Sequence, residues 1–587
     1  MDMSVEINHI TSGDKLDDIE HHFKVSAGPG AGKTHWLVNH IKEVLHTSKR
    51  LDKSREVACI TYTNTAVEII RNRLGVSTNQ VEISTIHSFL YKHIIKPYIH
   101  FIANEYNFNI SRLDGHDDVQ ISKGATIKWL KEHSKKDYFK HPYSLDQLTK
   151  NPDGSSKVHN WLSSVSYKFD TNDNLYITAD RKQSYVNGRP LAKKCLELLE
   201  VDLKNFKEMY WNQGILSHDD ILFFSFEIIK NYPFVLSILR AKFPYFFVDE
   251  FQDSNPIQVK LLRMIGEQDT IVGIIGDKAQ SIFSFQGADP TQFEEFELEG
   301  MKSYRISCNM RSTKEIVDLL NYIRADFKQE NRSGFIGNKP VIYIGDRLSV
   351  FKEVEANILN EQVTTLSWKN ITANALKKDI EGIDLNDNLL NDLINIDRSD
   401  RPKLIIPCIK AVELCREKKI KEALKELKRC FKRDEDNKNS ALNLLFLLNN
   451  RYDEYCDQPL MTLYNILRGD LGMGDLNKFK PGKPKDFYDN NNYRDISLCV
   501  NIIEDTSSNI TIHKSKGSEF DSVLLVLDKE SDLDFITTPN LDNEKHRLQY
   551  VAISRAIKNL YINVPELSQQ TIDNIETLGL VNITHIN

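Results

Sequence analysis

Ala27-Gly28-Pro29-Gly30-Ala31-Gly32-Lys33-Thr34 decides how the rest of the chain is read. A short β-prone run, Phe23-Lys24-Val25-Ser26, precedes it, and helix-spaced apolar residues follow from Trp36 to Leu45. Between a strand and a helix, glycines let backbone N–H groups turn inward around a polyphosphate at the helix N-terminus, where the partial positive charge favours an anion. Lys33 then reaches the β- and γ-phosphates, and the Thr34 hydroxyl is placed to ligate Mg²⁺. Ala27 stands where such loops usually open with glycine.

Outward from the loop, strands and helices alternate. Glu56–Tyr62 reads as a buried strand, Ala66–Leu74 as a helix, and Val81–Phe89 as a second strand and turn. Such alternation predicts a parallel sheet, with ligands at the carboxyl ends of its strands. Thr63, Asn64 and His87 fall there, suited to phosphate contacts, and Tyr62 offers a ring face for a base. The rhythm returns at Phe246-Phe247-Val248-Asp249-Glu250-Phe251-Gln252-Asp253. An apolar strand ending in two carboxylates suits metal-assisted hydrolysis of a nucleoside triphosphate: Asp249 holds the metal and Glu250 deprotonates the attacking water. The strand Ile271–Asp277 leads to Gln280, a candidate γ-phosphate sensor, and to Phe283 and Phe285, two aromatics read as exposed to bases.

A second α/β block comes in pieces, at 341–344, 363–366, 510–513 and 522–527. Both blocks are interrupted. From about residue 90 to 215 the reading is an inserted, mostly helical subdomain with a polar break at Asn151–Ser156; basic and aromatic residues interleave at Lys135–His141 and Trp161–Phe169. Nucleic-acid contact and a solvated face over buried aromatics are both open there. The second interruption carries a lysine-rich helix with apolar positions 420, 424, 427 and 431, and closes in a Gly/Pro/Asn-rich linker, 472–492.

At 587 residues, 40% hydrophobic and 27% charged, the chain is long enough for several domains and too apolar for extensive disorder. A formal charge of −7 argues against a uniformly basic binder and leaves a locally basic channel possible. The eight cysteines have no C-x-x-C spacing, the N-terminus is too polar for a signal peptide, and no apolar run is long enough to span a membrane. A cytoplasmic protein without a membrane segment is the expectation.

The order of these motifs resembles the UvrD/Rep-type helicases of superfamily one. The resemblance is carried by Ala27–Thr34, Thr61–Asn64, Thr85–Phe89, Val248–Asp253, Gly276–Phe283, Asn309-Met310-Arg311-Ser312-Thr313, His513–Phe520 and Arg547–Ala556. It implies an α/β fold of two RecA-like, parallel-sheet P-loop NTPase domains holding ATP and Mg²⁺, each with a mainly helical insertion. The first domain is then 1–90 with 216–305, its insertion 91–215, the second domain 306–375 with 506–587, and the reduced second insertion 376–505. It further implies that Arg311 and Arg555 are arginine fingers, Glu519 a ribose contact, Tyr62, Phe283 and Phe285 base-stacking positions, and Thr63, Asn64, His87 and His513 contacts along single-stranded DNA. Met310 stands where the family usually has tyrosine, and no glutamine motif precedes the loop.

The activity so implied is ATP-dependent movement on single-stranded or tailed DNA, in the 3′ to 5′ direction. Asn72–Gly75 and Ile94–Ile99 also look like the helicase-like subunit of Gabija-type antiphage systems, which implies an OLD-family nuclease partner. The alternative is an NTPase that senses DNA ends or single strands and regulates such a nuclease without unwinding. A small-molecule kinase has no use for the second block.

Overall fold

The computed structural model describes residues 7–586 apart from 114, 117–120, 122, 140–151, 185–190, 359–361, 381–384, 398, 432–436, 470–477 and 501–506. The chain divides into two compact units, Met1–Ser307 and Cys308–Asn587.

The first unit is built on a seven-stranded parallel sheet. Its strands are β1 (Ile7–Ile10), β2 (Phe23–Ala27), β3 (Val57–Thr61), β4 (Val81–Thr85), β7 (Tyr245–Val248), β8 (Ile271–Gly276) and β9 (Lys302–Ile306); β5 (Val165–Phe169) and β6 (Leu175–Ala179) form a separate antiparallel hairpin. The order is β1-β9-β2-β8-β7-β3-β4. β3, β7 and β8 are buried along their whole length. That is why they read as continuous apolar runs and not as alternating ones. The order sets β2, β8 and β7 side by side, so the phosphate loop, Asp277 and the Asp249-Glu250 pair emerge at one edge.

Several boundaries depart from the sequence reading. β9 runs to Ile306 against β2, so the sheet reaches beyond residue 305. Ile94, Ile95, Ile99, Ile102, Tyr106 and Phe108 belong to the same hydrophobic core as Phe246 and Val248, as do Trp211 and Leu216. The segment expected to open the insertion at 91 is therefore part of the main domain. The insertion has its own core, from Trp129 and Leu130 through Trp161 and Leu162 to Leu203 and Phe206. Residues 152–162 are helical, with Pro152 in the first turn, where its missing N–H costs nothing. The expected polar break is therefore a helix start, although Asn151 lies outside the described residues. Of the first basic and aromatic stretch, Tyr138 is exposed under Lys135 Nζ, 5.7 Å from its ring, while Lys140 and His141 lie outside the described residues. In the second stretch Trp161 and Tyr167 are buried.

The second unit carries a six-stranded parallel sheet. After the two-residue pair β10 (Cys308–Asn309) and β11 (Glu330–Asn331), its strands are β12 (Val341–Ile344), β13 (Val363–Ser367), β14 (Asn509–Thr511), β15 (Phe520–Val526), β16 (Ala556–Val564) and β17 (Asn582–His585), in the order β14-β13-β15-β16-β12-β17. Between β13 and β14 lies a helical module with its own core, which includes Leu393, Ile409, Leu444, Leu463 and Tyr488. In its helix Ile420–Lys428 the buried positions are Ala423 and Leu427. Ile420, at the first residue of that helix, is 53% exposed, so it drops out of the expected apolar face. The expected linker is helical over Lys483–Asn490, with Phe487 and Tyr488 buried; its part from 472 to 477 lies outside the described residues. Tyr488 hydrogen-bonds Asp397, and this aromatic anchor is what a composition-based linker reading overlooks.

Among the described residues no single helix is long and apolar enough to cross a membrane.

Candidate functional site

The site begins where β2 ends. Ala27 is buried, pairs with Ile306 and has no positive φ, so a methyl group is tolerated where a glycine was expected. Gly30 and Gly32 do take positive φ, 66° and 81°. At Gly32 a Cβ would also come within 2.8 Å of the Ser12 Cβ. The helix Lys33–Thr47 starts directly after it, and Trp36 N–H donates to Gly32 O at 2.9 Å.

Lys33 Nζ is buried with no hydrogen-bond partner, its nearest counter-charge being Glu250 Oε2 at 4.0 Å. A buried ammonium left unsatisfied is costly unless an anion arrives to meet it. The Thr34 hydroxyl donates to Asp249 Oδ2 at 3.3 Å, and Asp249 Oδ1 accepts the Glu250 N–H at 3.0 Å. Burial, and then the neighbouring Glu250, hold the Asp249 carboxyl above the usual carboxylate range, against the pull of Lys33. Glu250 has a left-handed backbone, φ 53°, rare for a side chain with Cβ.

Gln252, quoted in the sequence without a role, fixes this corner. Its Nε2 donates to Glu250 Oε2, and its Oε1 accepts the Asp277 N–H at 3.0 Å. A Cβ at residue 276 would stand 2.6 Å from that oxygen, so Gly276 leaves the room for it. Gln280, buried, donates to Asp277 Oδ2 at 2.6 Å. The structure thus joins Lys33, Thr34, Asp249, Glu250, Gln252, Asp277 and Gln280 in one network at the carboxyl edge. The sequence signal for Gln252 was its place two residues after the carboxylate pair; Asp277 had only its strand-end position.

A buried ammonium without a hydrogen bond, a loop with positive-φ glycines at a helix N-terminus, and a hydroxyl beside a carboxylate fit a Mg²⁺-bound triphosphate. Mg²⁺ keeps most of its waters and takes one or two protein ligands, so Thr34 and Asp249 suffice. No cluster of three potential metal ligands occurs among the described residues.

Arg311, Glu519 and Arg555 come together in the second unit, at the amino ends of β15 and β16. Arg311 Nε donates to Glu519 Oε2 at 2.5 Å and Nη1 to Ser554 O at 2.9 Å. Arg555 is buried and donates to Val551 O at 3.1 Å and to Ser554 Oγ at 3.0 Å. Met310, one residue before Arg311, is exposed.

The candidate DNA residues fall into separate groups. Tyr62 and Phe283 stack at 4.7 Å, with Phe285 at 5.9 Å from Phe283. Phe283 is 8% exposed and Phe285 67%, which corrects the expectation of two exposed aromatics. Residues 284–286 form a 3-10 turn, so positions two apart do not share a face as they would on a strand. The Thr63 hydroxyl accepts the Ala66 N–H at 3.2 Å and caps the helix Asn64–Leu74, on whose first turn Asn64 is exposed. His87 sits in a group that sequence reasoning missed: ring centroids lie 4.9 Å from His218 and 6.4 Å from His116. Burial first, then those two rings, lower its pKa to about 3. His513 lies in the second unit, on the turn after β14.

A glycine-rich loop at a helix N-terminus, a buried lysine and two carboxylates at a nearby strand end, set on a parallel sheet, are the architecture of a P-loop nucleoside triphosphatase. Residues 13–299 match the UvrD/REP helicase N-terminal domain and residues 312–566 the UvrD-like helicase C-terminal domain. The chain belongs to the UvrD/Rep helicase family, and its two sheet-bearing units are RecA-like. Among relatives, it is 25% identical over 324 residues to the Gabija protein GajB of Bacillus cereus (strain HuB5-5), covering 51% of this chain and 46% of that protein. It is 28% identical over 303 residues to the ATP-dependent DNA helicase PcrA of Bacillus subtilis (strain 168), covering 51% of this chain and 36% of the relative. It is 26% identical over 322 residues to DNA helicase II of Escherichia coli (strain K12), covering 54% and 39%. In each case the matched stretch spans less than half of the relative.

Proposed function

We propose that the chain is an ATP-driven translocase on single-stranded DNA that moves 3′ to 5′ and separates strands of tailed duplexes. The observation that supports this most is the buried Lys33 ammonium, which makes no hydrogen bond and faces the Asp249-Glu250 pair. Ala27–Thr34 hold the triphosphate of ATP; Thr34 and Asp249 hold Mg²⁺, which neutralises charge on the phosphoryl oxygens when bound. Glu250, aimed by Gln252, accepts the proton of the attacking water, and Gln280 orients that water against the γ-phosphate. Arg311 and Arg555 serve as arginine fingers, and Glu519, ion-paired with Arg311, as the ribose contact. Phe285 stacks a base, Phe283 and Tyr62 back it, and Thr63, Asn64, His87 and His513 contact the strand. The domains run as 1–108 with 211–307 and 308–375 with 507–587, around helical insertions at about 121–210 and 376–506.

A second reading rests on the similarity to the Gabija protein: an NTPase that senses DNA and regulates an OLD-family nuclease in the cytoplasm during antiphage defence. Turnover measured with and without oligo(dT), beside unwinding of a 3′-tailed duplex, separates the two. Stimulation with unwinding supports the motor; stimulation without unwinding supports the switch; turnover indifferent to DNA overturns both.

A further inference from the structure

Of the five tryptophans, Trp36, Trp129, Trp161 and Trp211 are buried, whereas Trp368 is 52% exposed. Tryptophan ordinarily covers most of its large apolar ring. Trp368 follows β13 in the second unit, and its backbone is pinned on both sides. β13 is buried along its whole length, the hydroxyl of its last residue, Ser367, donates to Lys369 O at 3.1 Å, and the helix Asn370–Lys377 starts at once, with Ile371 buried. Lys369 Nζ lies 3.4 Å from Asp528 and 3.9 Å from Asp387. Lys545 Nζ, held by Asp532, stands over the Trp368 ring at 5.8 Å. Among the described residues the indole makes no hydrogen bond and meets no other aromatic ring.

We propose that Trp368 is a stacking platform for a nucleobase of the single strand, the second unit's counterpart of Phe285. The inference rests on the reading of the chain as a translocase on single-stranded DNA. Position supports it first: parallel sheets of this kind take ligands at the carboxyl ends of their strands. Ser367 pairs with Thr511, and Ile512 N–H donates to Ser367 O at 2.9 Å, so residue 368 emerges beside the turn that carries His513.

The surroundings select which part of the strand is met. Around the ring stand Lys369, Lys545 and the carboxylates of Asp387, Asp528 and Asp532. That is not the contiguous apolar patch that a protein partner buries. Nor is it a phosphate site, since both ammonium groups already face carboxylates. What the position offers is the indole itself. A base is the flat, uncharged part of the strand and stacks on an aromatic ring whatever its sequence. With Lys545 over one face, the base takes the other.

The test uses the full chain with labelled oligo(dT) and with a matched strand of abasic sites, which keeps the phosphates and lacks the bases. Trp368→Ala should weaken oligo(dT) binding about ten-fold at the parent's melting temperature. The factor should be the same at low and high salt, because no phosphate contact is lost. Trp368→Phe should recover most of that loss and Trp368→Leu little of it. On the abasic strand Trp368→Ala and the parent should bind alike. Oligo(dT) should quench the parent's tryptophan emission and leave that of Trp368→Phe unchanged, which tests the contact even where the alanine variant misfolds. Equal oligo(dT) binding by Trp368→Ala and the parent overturns the proposal, as does full rescue by leucine or a defect that persists on the abasic strand. So does an oligomer of the parent that Trp368→Ala disperses, which would make the ring an interface between copies. A parent that binds no oligo(dT) overturns the translocase reading as well, and is thereby told apart from a failure at Trp368 alone.

Discussion

In the proposed reaction Lys33 and Glu250 carry different halves of turnover, and their variants should fail differently. Lys33→Ala removes the charge that meets the β- and γ-phosphates, so ATP binding, read by fluorescent analogue, and turnover are both lost. Glu250→Gln keeps the shape and removes the base, so binding persists while turnover falls by on the order of 10³. Asp249 makes a further prediction through its raised pKa. A folded-state value above the unfolded one means that ionisation costs stability: the stabilising, protonated form is lost as pH rises through the raised value. Asp249→Asn should therefore melt higher than the parent without nucleotide, by on the order of 1–3 °C, with the gap widening between about pH 4 and 7, yet be inactive. No widening across a differential-scanning series would refute this. His87, its pKa lowered by burial to about 3, is neutral at physiological pH, so its proposed contact with DNA is that of a hydrogen-bonding group and not of a cation. His87→Ala should weaken oligo(dT) binding and leave the slope against salt unchanged, whereas losing a phosphate-binding lysine lowers that slope by about 1. Lys33, Thr34, Asp249 and Glu250 were legible because their chemistry dictates their spacing. Gln252, His116 and His218 were not, because what they do depends on which strand ends lie side by side.

Elements sort Phe283 from Phe285. Phe285→Ala removes an exposed ring from a 3-10 turn, so DNA stimulation of turnover should drop by an amount equivalent to about 1–3 kcal/mol while the melting temperature holds. Phe283→Ala removes a ring stacked on Tyr62 and should lower the melting temperature as well. Identical melting curves for the two variants would sink the distinction. The buried strands β3, β7 and β8 were plain in the sequence as unbroken apolar runs. β1 was not: its four residues are mostly exposed and acquire strand geometry by pairing with β9, some three hundred residues later. The helix Lys483–Asn490 was hidden for the opposite reason, its Gly, Pro and Asn neighbours outweighing two buried aromatics.

For the whole molecule, the proposed role of the second unit can be tested through its arginines. Arg311→Ala should cut turnover about 10³-fold with the fold intact, since its main partner, Glu519, is half-exposed. Arg555→Ala should cost stability too, because that guanidinium holds Val551 O and Ser554 Oγ inside the unit. Unchanged turnover in Arg311→Ala would end the arginine-finger reading. The two α/β blocks and their interruptions could be read from where the strand–helix rhythm stops and resumes. Where the first insertion begins could not, because Ile94 to Phe108 look alike whether they fill one core or another. The hairpin of β5 and β6 illustrates what such packing does. Its paired residues Val165 and Ala179 rest in the insertion's core, while Phe169 and Leu175, at the turn, rest in the main one, with Tyr167 and Ile177 midway. A ribbon rooted at both ends works as a dowel. Displacement of the insertion against the sheet would have to shear the hairpin or pull one end free of its core, so the ribbon ties the two together.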